Sequence, residues 1–428
     1  MKDLLLITPP FTQLNTPYPA TAYIKGFLNT KGISAFQSDL GIEVILELFS
    51  KETFKELFER AYQNGTIGSE NGKRIYALKD HYLQTLDSVV LFLQGKNATL
   101  ARQICTDNFL PEASRFQQLD DMEWAFGTMG MQDKAKHLAT LYLEDLSDFI
   151  VECIDPHFGF SRYAERLGRS ANSFDELYTS VRAETTFIDK ITLRILGKQL
   201  KDLGPKLVCF SVPFPGNLYS AFRCAQYIRA NYPNVKIAMG GGFPNTELRS
   251  LTDVRVFEFF DFISLDDGER PLELLYNRVF KGETALKRTF VLEDAMVVYK
   301  NDSNLPDYKQ QQVGTPDYSD LKLDRYISVI EIANPMHSLW SDGRWNKLTM
   351  AHGCYWGKCT FCDISLDYIK MYEPIAATLL VDRMETLLGQ TGESGFHFVD
   401  EAAPPSLMKA LALEILKRKL TVTWWTNI

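Results

Sequence analysis

The chain has 428 residues, 45% of them hydrophobic and 23% charged, with a net charge of −8 and a pI near 5.4. This length predicts two or three domains with sizeable cores, and the acidic balance argues against a protein that coats nucleic acid. No apolar run approaches the roughly 18 residues of a membrane helix, and Leu4-Leu5-Leu6-Ile7 is cut short by Pro9-Pro10, so neither a membrane partner nor a signal-peptide core is expected.

The first elements read strand–helix–strand. Asp3 to Thr8 is a short apolar run ending at the turn Pro9-Pro10. A helix follows, with Pro19 near its first turn, Ala20, Tyr23, Ile24, Phe27 and Leu28 at helical spacing, and Gly32 just past its end. A strand from Ile33 to Gln37 then leads to Asp39, completing one βαβ unit. From about Ile42 to Leu203 the pattern is almost wholly helical, which predicts an insertion or subdomain. Its stripes, Phe54-Leu57-Phe58-Ala61 and Leu138-Leu141-Tyr142-Leu146-Phe149, are expected in the core.

The α/β pattern resumes at Lys206. Leu207 to Val212 is continuously apolar, as a strand buried on both faces should be. A helix with Leu218, Ala221, Phe222, Ala225 and Ile228 on one side comes next. The strand Val235–Met239 ends in Gly240-Gly241-Gly242, and the strand Phe262–Leu265 ends in Asp266-Asp267-Gly268-Glu269, opening a helix around Leu272 to Val279. Five strands with helices between them predict a doubly wound sheet of flavodoxin-like order. Phe290 to Tyr299 reads as a hairpin, and the polar stretch Asn301 to Asp317 as a linker.

The last unit starts with a strand Lys347 to Ala351 that runs into Gly353-Cys354-Tyr355-Trp356-Gly357-Lys358-Cys359-Thr360-Phe361-Cys362. A helix (Ile375–Leu388), a strand (Gly395–Val399), a helix (Ser406–Lys419) and a strand (Thr421–Thr426) follow, two and a half units of β/α-barrel grammar. The final strand would leave Val422, Trp424 and Trp425 on an open edge, which suggests a fragment or one half of a split protein.

Three cysteines in this loop are spaced C-x4-C-x2-C, and no cysteine follows Cys362. A structural zinc site wants four protein ligands and a closed iron–sulfur cluster four cysteines, so three thiolates leave one iron of a cubane cluster open to a substrate. The ferredoxin-type [2Fe–2S] reading lacks its fourth ligand, and a zinc reading would need one such as His352. A cytoplasmic, reducing setting is expected, where clustered cysteines are metal ligands. Cys105, Cys153, Cys209 and Cys224 stand among apolar residues and read as plain buried thiols.

The loop with its flanks resembles the cluster motif of the radical S-adenosylmethionine (SAM) enzymes. The common spacing there is C-x3-C-x2-C, so the first gap here is one residue longer. The resemblance implies that Cys354, Cys359 and Cys362 hold a [4Fe–4S] cluster whose fourth iron is chelated by SAM. Reduction would then cleave SAM to methionine and a 5′-deoxyadenosyl radical, with an electron donor such as flavodoxin or ferredoxin. Phe361 fits the aromatic residue that precedes the last cysteine. Asp400 and Glu401, at the end of the second barrel strand, match an acidic element that contacts the SAM amino group; the competing reading is a helix N-cap. Trp356 and Lys358 are expected to shape the loop.

The strand-end turns Thr8-Pro9-Pro10, Ser211-Val212-Pro213, Gly240-Gly241-Gly242 and Asp267-Gly268-Glu269 are similar to those of the cobalamin-binding domain preceding many radical SAM barrels. The likeness covers Met1 to about Asp39 and Pro205 to Val279. It implies cobalamin (B12) near Ser211, Gly240, Gly241 and Gly242, and methyl transfer to an unactivated carbon. The Asp-x-His-x-x-Gly motif of some cobalamin proteins is absent; Asp155-Pro156-His157-Phe158-Gly159 is one residue short. The expected organisation is a cobalamin-binding-like domain over residues 1–300, with the helical insertion at about 42–203. A linker (301–345) and the first part of a radical SAM barrel (346–428) follow. The alternative is a non-catalytic corrinoid- or iron–sulfur-binding protein, or an inactive fragment. The substrate, a small molecule or a peptide, is not legible.

Overall fold

The computed structural model describes residues 3–106, 108–118, 130–169, 173–331, 345–360, 362–363, 365–400 and 402–427. The larger sheet has seven strands in the order β2-β1-β3-β4-β5-β6-β7. They are β1 (Leu4–Thr8), β2 (Ala35–Asp39), β3 (Leu207–Ser211), β4 (Lys236–Gly240), β5 (Phe262–Ser264), β6 (Thr289–Glu293) and β7 (Met296–Lys300). The first five are parallel, in the flavodoxin-like order expected. The expected hairpin is the antiparallel pair β6–β7, which extends the sheet beyond β5.

Helix α1 (Ala20–Thr30) connects β1 to β2. β2 starts two residues later than its apolar run suggests. The N–H of Ile33 is spent on the Leu28 carbonyl at the helix end, and the ladder begins where Ala35 pairs with Leu4.

The helical block forms the crossover from β2 to β3. α2 (Leu40–Leu48) starts at Asp39, whose carboxylate accepts the N–H groups of Gly41 at 3.0 Å and Ile42 at 3.4 Å. α3 (Lys51–Gln63), α4 (Lys79–Leu93) and α5 (Gly130–Cys153) follow, and both predicted stripes are buried in them. α6 (Phe187–Leu203) opens with a Thr186–Asp189 capping box and ends at Gly204, φ 59°. The apolar core runs without a break from Leu5 and Ile7 of β1 through this block to Val208 and Phe210 of β3. The block is thus a layer of the α/β unit, covering one sheet face.

α7 (Pro215–Asn231) connects β3 to β4 and is tied to α6 by the buried pair Arg223–Asp189 at 3.0 Å. α8 (Glu269–Lys281) follows β5 and packs with α1 on the other sheet face. Residues 301–331 are irregular apart from two short 3-10 turns. Residues 314–320 lie along α1, and residues 324–330 bond to the helical block and to Leu14 and Asp39. Lys25 of α1 reaches Asp320 at 2.5 Å and Asp317 at 3.4 Å, its side chain almost wholly buried.

The smaller parallel sheet has β8 (Trp345–Leu348), β11 (Gly395–Phe398) and β12 (Thr423–Thr426) in the order β12-β11-β8. α9 (Ala377–Thr391) and α10 (Pro405–Arg418) lie between its strands in sequence. Leu348, Phe396 and Phe398 share a core with Leu380, Met384, Leu411 and, from the first unit, Ala22 of α1 and Tyr318. Across the strands run Lys347, His397 and Trp425: Lys347 Nζ lies 2.9 Å from His397 Nδ1, and the His397 ring stacks on Trp425 at 3.6 Å. Burial lowers the Lys347 amine to about 8.

Candidate functional site

The carboxyl ends of β1, β3, β4 and β5 open on a cavity of about 380 Å³. Ser211, Gly240, Gly241 and Ser264 supply small side chains and bare backbone there, and Leu6, Ile24 and Leu272 supply apolar walls. Gly241 has φ 105°, and a Cβ on it would sit 2.8 Å from the Val212 carbonyl oxygen, so only glycine lets the turn after β4 lie against β3. Gly242 fits against the Pro213 carbonyl in the same way and lies outside the lining. The turn after β1 is pinned by Asn217, whose amide donates to the carbonyls of Pro9 at 2.8 Å and Phe11 at 2.7 Å.

The cavity is bounded on the other side by Thr349 and Val399, which follow β8 and β11 of the smaller sheet. Two sets of parallel strand ends therefore face one space, the place where α/β sheets bind ligands.

The predicted strand Lys347–Ala351 is split, and the split has a chemical cause. The Thr349 N–H donates to the Tyr23 hydroxyl of α1 at 2.9 Å. The N–H groups of Met350 and Ala351 donate to the two oxygens of Asp400, at 2.7 and 3.0 Å. Three successive backbone donors are thus taken by side chains, and β8 ends at Leu348. Burial raises the Asp400 carboxyl above the usual range, and these two hydrogen bonds work against that rise. Asp400 is not a helix cap, since α10 begins after Pro404.

The chain then pairs briefly as β9 (Ala351–His352) with β10 (Glu373–Pro374), so both ends of the cysteine loop are pinned together. Gly353, φ 70°, leaves this ladder where any Cβ would overlap the Met371 carbonyl oxygen. Cys354, Cys359 and Cys362 stand half-buried on the loop that follows, none of them in a disulfide. Lys358 Nζ lies 5.2 Å from the Trp356 ring centroid, a cation–π contact within the loop. The donor set suits an iron–sulfur cluster in kind: three thiols within nine residues. In geometry, among the described residues, no three His, Cys, Asp or Glu side chains are drawn together as a metal site. Phe361 and Glu401 lie outside the described residues.

His352, just before Gly353, faces the acidic end of the cavity. Its Nε2 is 3.6 Å from Asp267, and its Nδ1 is 3.5 Å from the Gln310 amide nitrogen. Asp267, Glu269 and Gln310 all line the cavity, so the cysteine loop departs from its rim. Burial pushes Glu269 up to about 7, with the neighbouring Asp267 charge adding to the rise. Burial also raises Asp267, against the pull of His352 and Arg288.

Of the residues singled out in the sequence, Ser211, Gly240, Gly241 and Asp400 meet at this junction. Tyr23, Thr349, Gln310 and the raised carboxyl of Glu269 were not anticipated there. Tyr23 reads in sequence as one more apolar helix position, and only the strand-end turn at Glu269 carried a signal. His157 is exposed in the helical block, where its N–H donates to Asp155 at 3.0 Å, so the short Asp-Pro-His string serves a local turn. Cys153 and Cys224 are buried; Cys105 and Cys209 are half-buried, and Cys209 lines the cavity with its thiol raised to about 12 by burial. No helix among the described residues is long and apolar enough to cross a membrane. The chain matches no protein-family model, and a search of curated proteins finds no significant match.

Proposed function

We propose that this chain is a radical SAM enzyme that uses a corrinoid to methylate an unactivated carbon, its smaller sheet being the first part of the barrel. One observation carries the reading: strand ends of two parallel sheets share one cavity, and a three-thiol loop leaves from its rim. Cys354, Cys359 and Cys362 would hold a [4Fe–4S] cluster, and the floor at Ser211, Gly240 and Gly241 suits a flat, largely apolar ring. When bound, the cluster supplies the electron that cleaves SAM, and the corrinoid supplies cobalt as methyl carrier.

The chain's own contribution is placement and exclusion of water. Asp400 and Tyr23 fix the backbone from which the loop departs, one from each unit of the fold. The Asp400 carboxylate takes three backbone N–H groups, those of Met350, Ala351 and Asp400 itself, and would meet a ligand ammonium with its remaining acceptor capacity. Leu6, Ile24 and Leu272 keep the cavity wall dry. Phe361 and Glu401 enter this reading through the resemblance alone.

The test is anaerobic reconstitution with iron and sulfide, reduction, and incubation with SAM, reading 5′-deoxyadenosine by chromatography. SAM-dependent deoxyadenosine is expected. A full complement of iron and sulfide with no deoxyadenosine would replace the enzyme reading with that of a non-catalytic binding protein.

A further inference from the structure

The face of the smaller sheet turned away from α9 and α10 carries polar groups that the cluster reading does not use. Lys347, His397 and Trp425 stand in one row because β8, β11 and β12 hold them in register. Continued alternation puts Thr349 and Val399 on the same face, and both line the cavity. The row therefore lies two residues, about 7 Å, further along the strands from that cavity wall.

Lys347 is 9% exposed, and its amine meets His397 Nδ1 at 2.9 Å. No carboxylate pairs with it among the described residues. An ammonium only donates, so Nδ1 accepts and the imidazole proton sits on Nε2. That Nε2 is buried and has no hydrogen-bond partner. The Trp425 ring, stacked at 3.6 Å and 10° from parallel, fixes the plane in which it points. A buried cation with donors to spare thus stands beside a second buried donor that has no acceptor. Both shortages are met by one kind of group, an anion with several acceptor oxygens.

We propose that Lys347 and His397 form an anion subsite that takes the carboxylate or phosphate of the substrate. Lys347 supplies the charge, His397 Nε2 a directed hydrogen bond, and Trp425 a flat wall behind them. Assigning this anion to the substrate rests on the enzyme reading above; the anion site itself does not.

The experiment follows the melting temperature of the full chain in phosphate, acetate and chloride at matched ionic strength. It compares wild type with Lys347→Met, which keeps the stem and drops the charge, and with His397→Phe, which keeps a ring and drops the donor. Saturating phosphate or acetate should raise wild type above its chloride value by about 2–4 °C, and the anion that does so names the substrate group. Lys347→Met should lose that shift and should melt no lower than wild type in chloride, since it removes an uncompensated buried charge. His397→Phe should weaken the anion about tenfold. No shift in wild type, or an equal shift in Lys347→Met, would overturn the inference. So would a Lys347→Met protein that melts well below wild type in chloride, because Lys347 would then be structural. None of these measurements needs iron, so their failure leaves the cluster reading standing, and absence of deoxyadenosine would remove only the assignment to a substrate.

Discussion

In the seven-stranded sheet both faces are packed, one by the helical block and α7, the other by α1 and α8. In the three-stranded sheet one face packs on α9 and α10, while Lys347, His397 and Trp425 cross the strands in contact with one another. The cysteines differ in setting as well, Cys105 and Cys209 of the larger unit being half-buried but far apart in the chain. Cys153 and Cys224 sit inside the larger unit as apolar side chains, whereas Cys354, Cys359 and Cys362 stand half-buried on a pinned loop of the smaller one. The larger unit is thus a stable wall with a cavity at its edge, and the smaller one carries the candidate chemistry. Contacts that join them include Tyr23 to Thr349, His352 to Asp267, the packing of Ala22 on the smaller core, and a strap, residues 301–331, which Lys25 holds.

The division of the cysteines is broken most sharply by mutation. Cys359→Ala should abolish stable iron–sulfur incorporation, while Cys224→Ala should leave iron and sulfide content near that of wild type. Equal iron content in both variants would erase the distinction.

The strap is tested next. Lys25→Ala leaves Asp317 and Asp320 without their buried cation and should cost about 3–5 kcal/mol in denaturant unfolding. Asp400→Ala strips the acceptors from two buried backbone N–H groups and should cost about 2–4 kcal/mol. It should also reduce cluster retention, which a change confined to the larger unit would not do.

Glu269 supplies a pH test in the ligand-free protein. Its folded value of about 7 lies above the ordinary carboxyl value of 4.5. Its contribution to stability is therefore fully present below about pH 4.5 and lost as pH rises through about 7. Wild type should weaken relative to Glu269→Gln between pH 5 and pH 8, by about 2 kcal/mol. A stability difference that does not vary with pH would contradict the assignment. The smallest effect belongs to Tyr23→Phe, which removes the hydroxyl's two cross-unit hydrogen bonds, with the Thr349 N–H and hydroxyl, and should cost about 1 kcal/mol.

Much of the fold was legible because burial leaves a strong mark on sequence. The continuous run Leu207–Val212 announced a strand packed on both faces, and Phe54-Leu57-Phe58-Ala61 announced a core helix. The junction was harder to read, since its contacts join residues far apart in the chain. Nothing local to Tyr23 says that its hydroxyl will meet Thr349, nor that Asp400 will take the N–H groups of Met350 and Ala351. The split of β8 follows from those contacts, so apolar pattern alone ran the strand on to Ala351. The strap had a similar fate: Asn301 to Asp317 is polar enough to read as a linker, yet Val313 and Tyr318 are buried against the two units.

The central claim is that the three-thiol loop holds a cluster with one iron open to SAM. The most direct measurement is electron paramagnetic resonance of the reduced, reconstituted protein with and without SAM, with Cys359→Ala as control. The account predicts a [4Fe–4S] signal in wild type that changes on adding SAM and is lost in the variant. A signal indifferent to SAM, or no [4Fe–4S] signal at all, would contradict it.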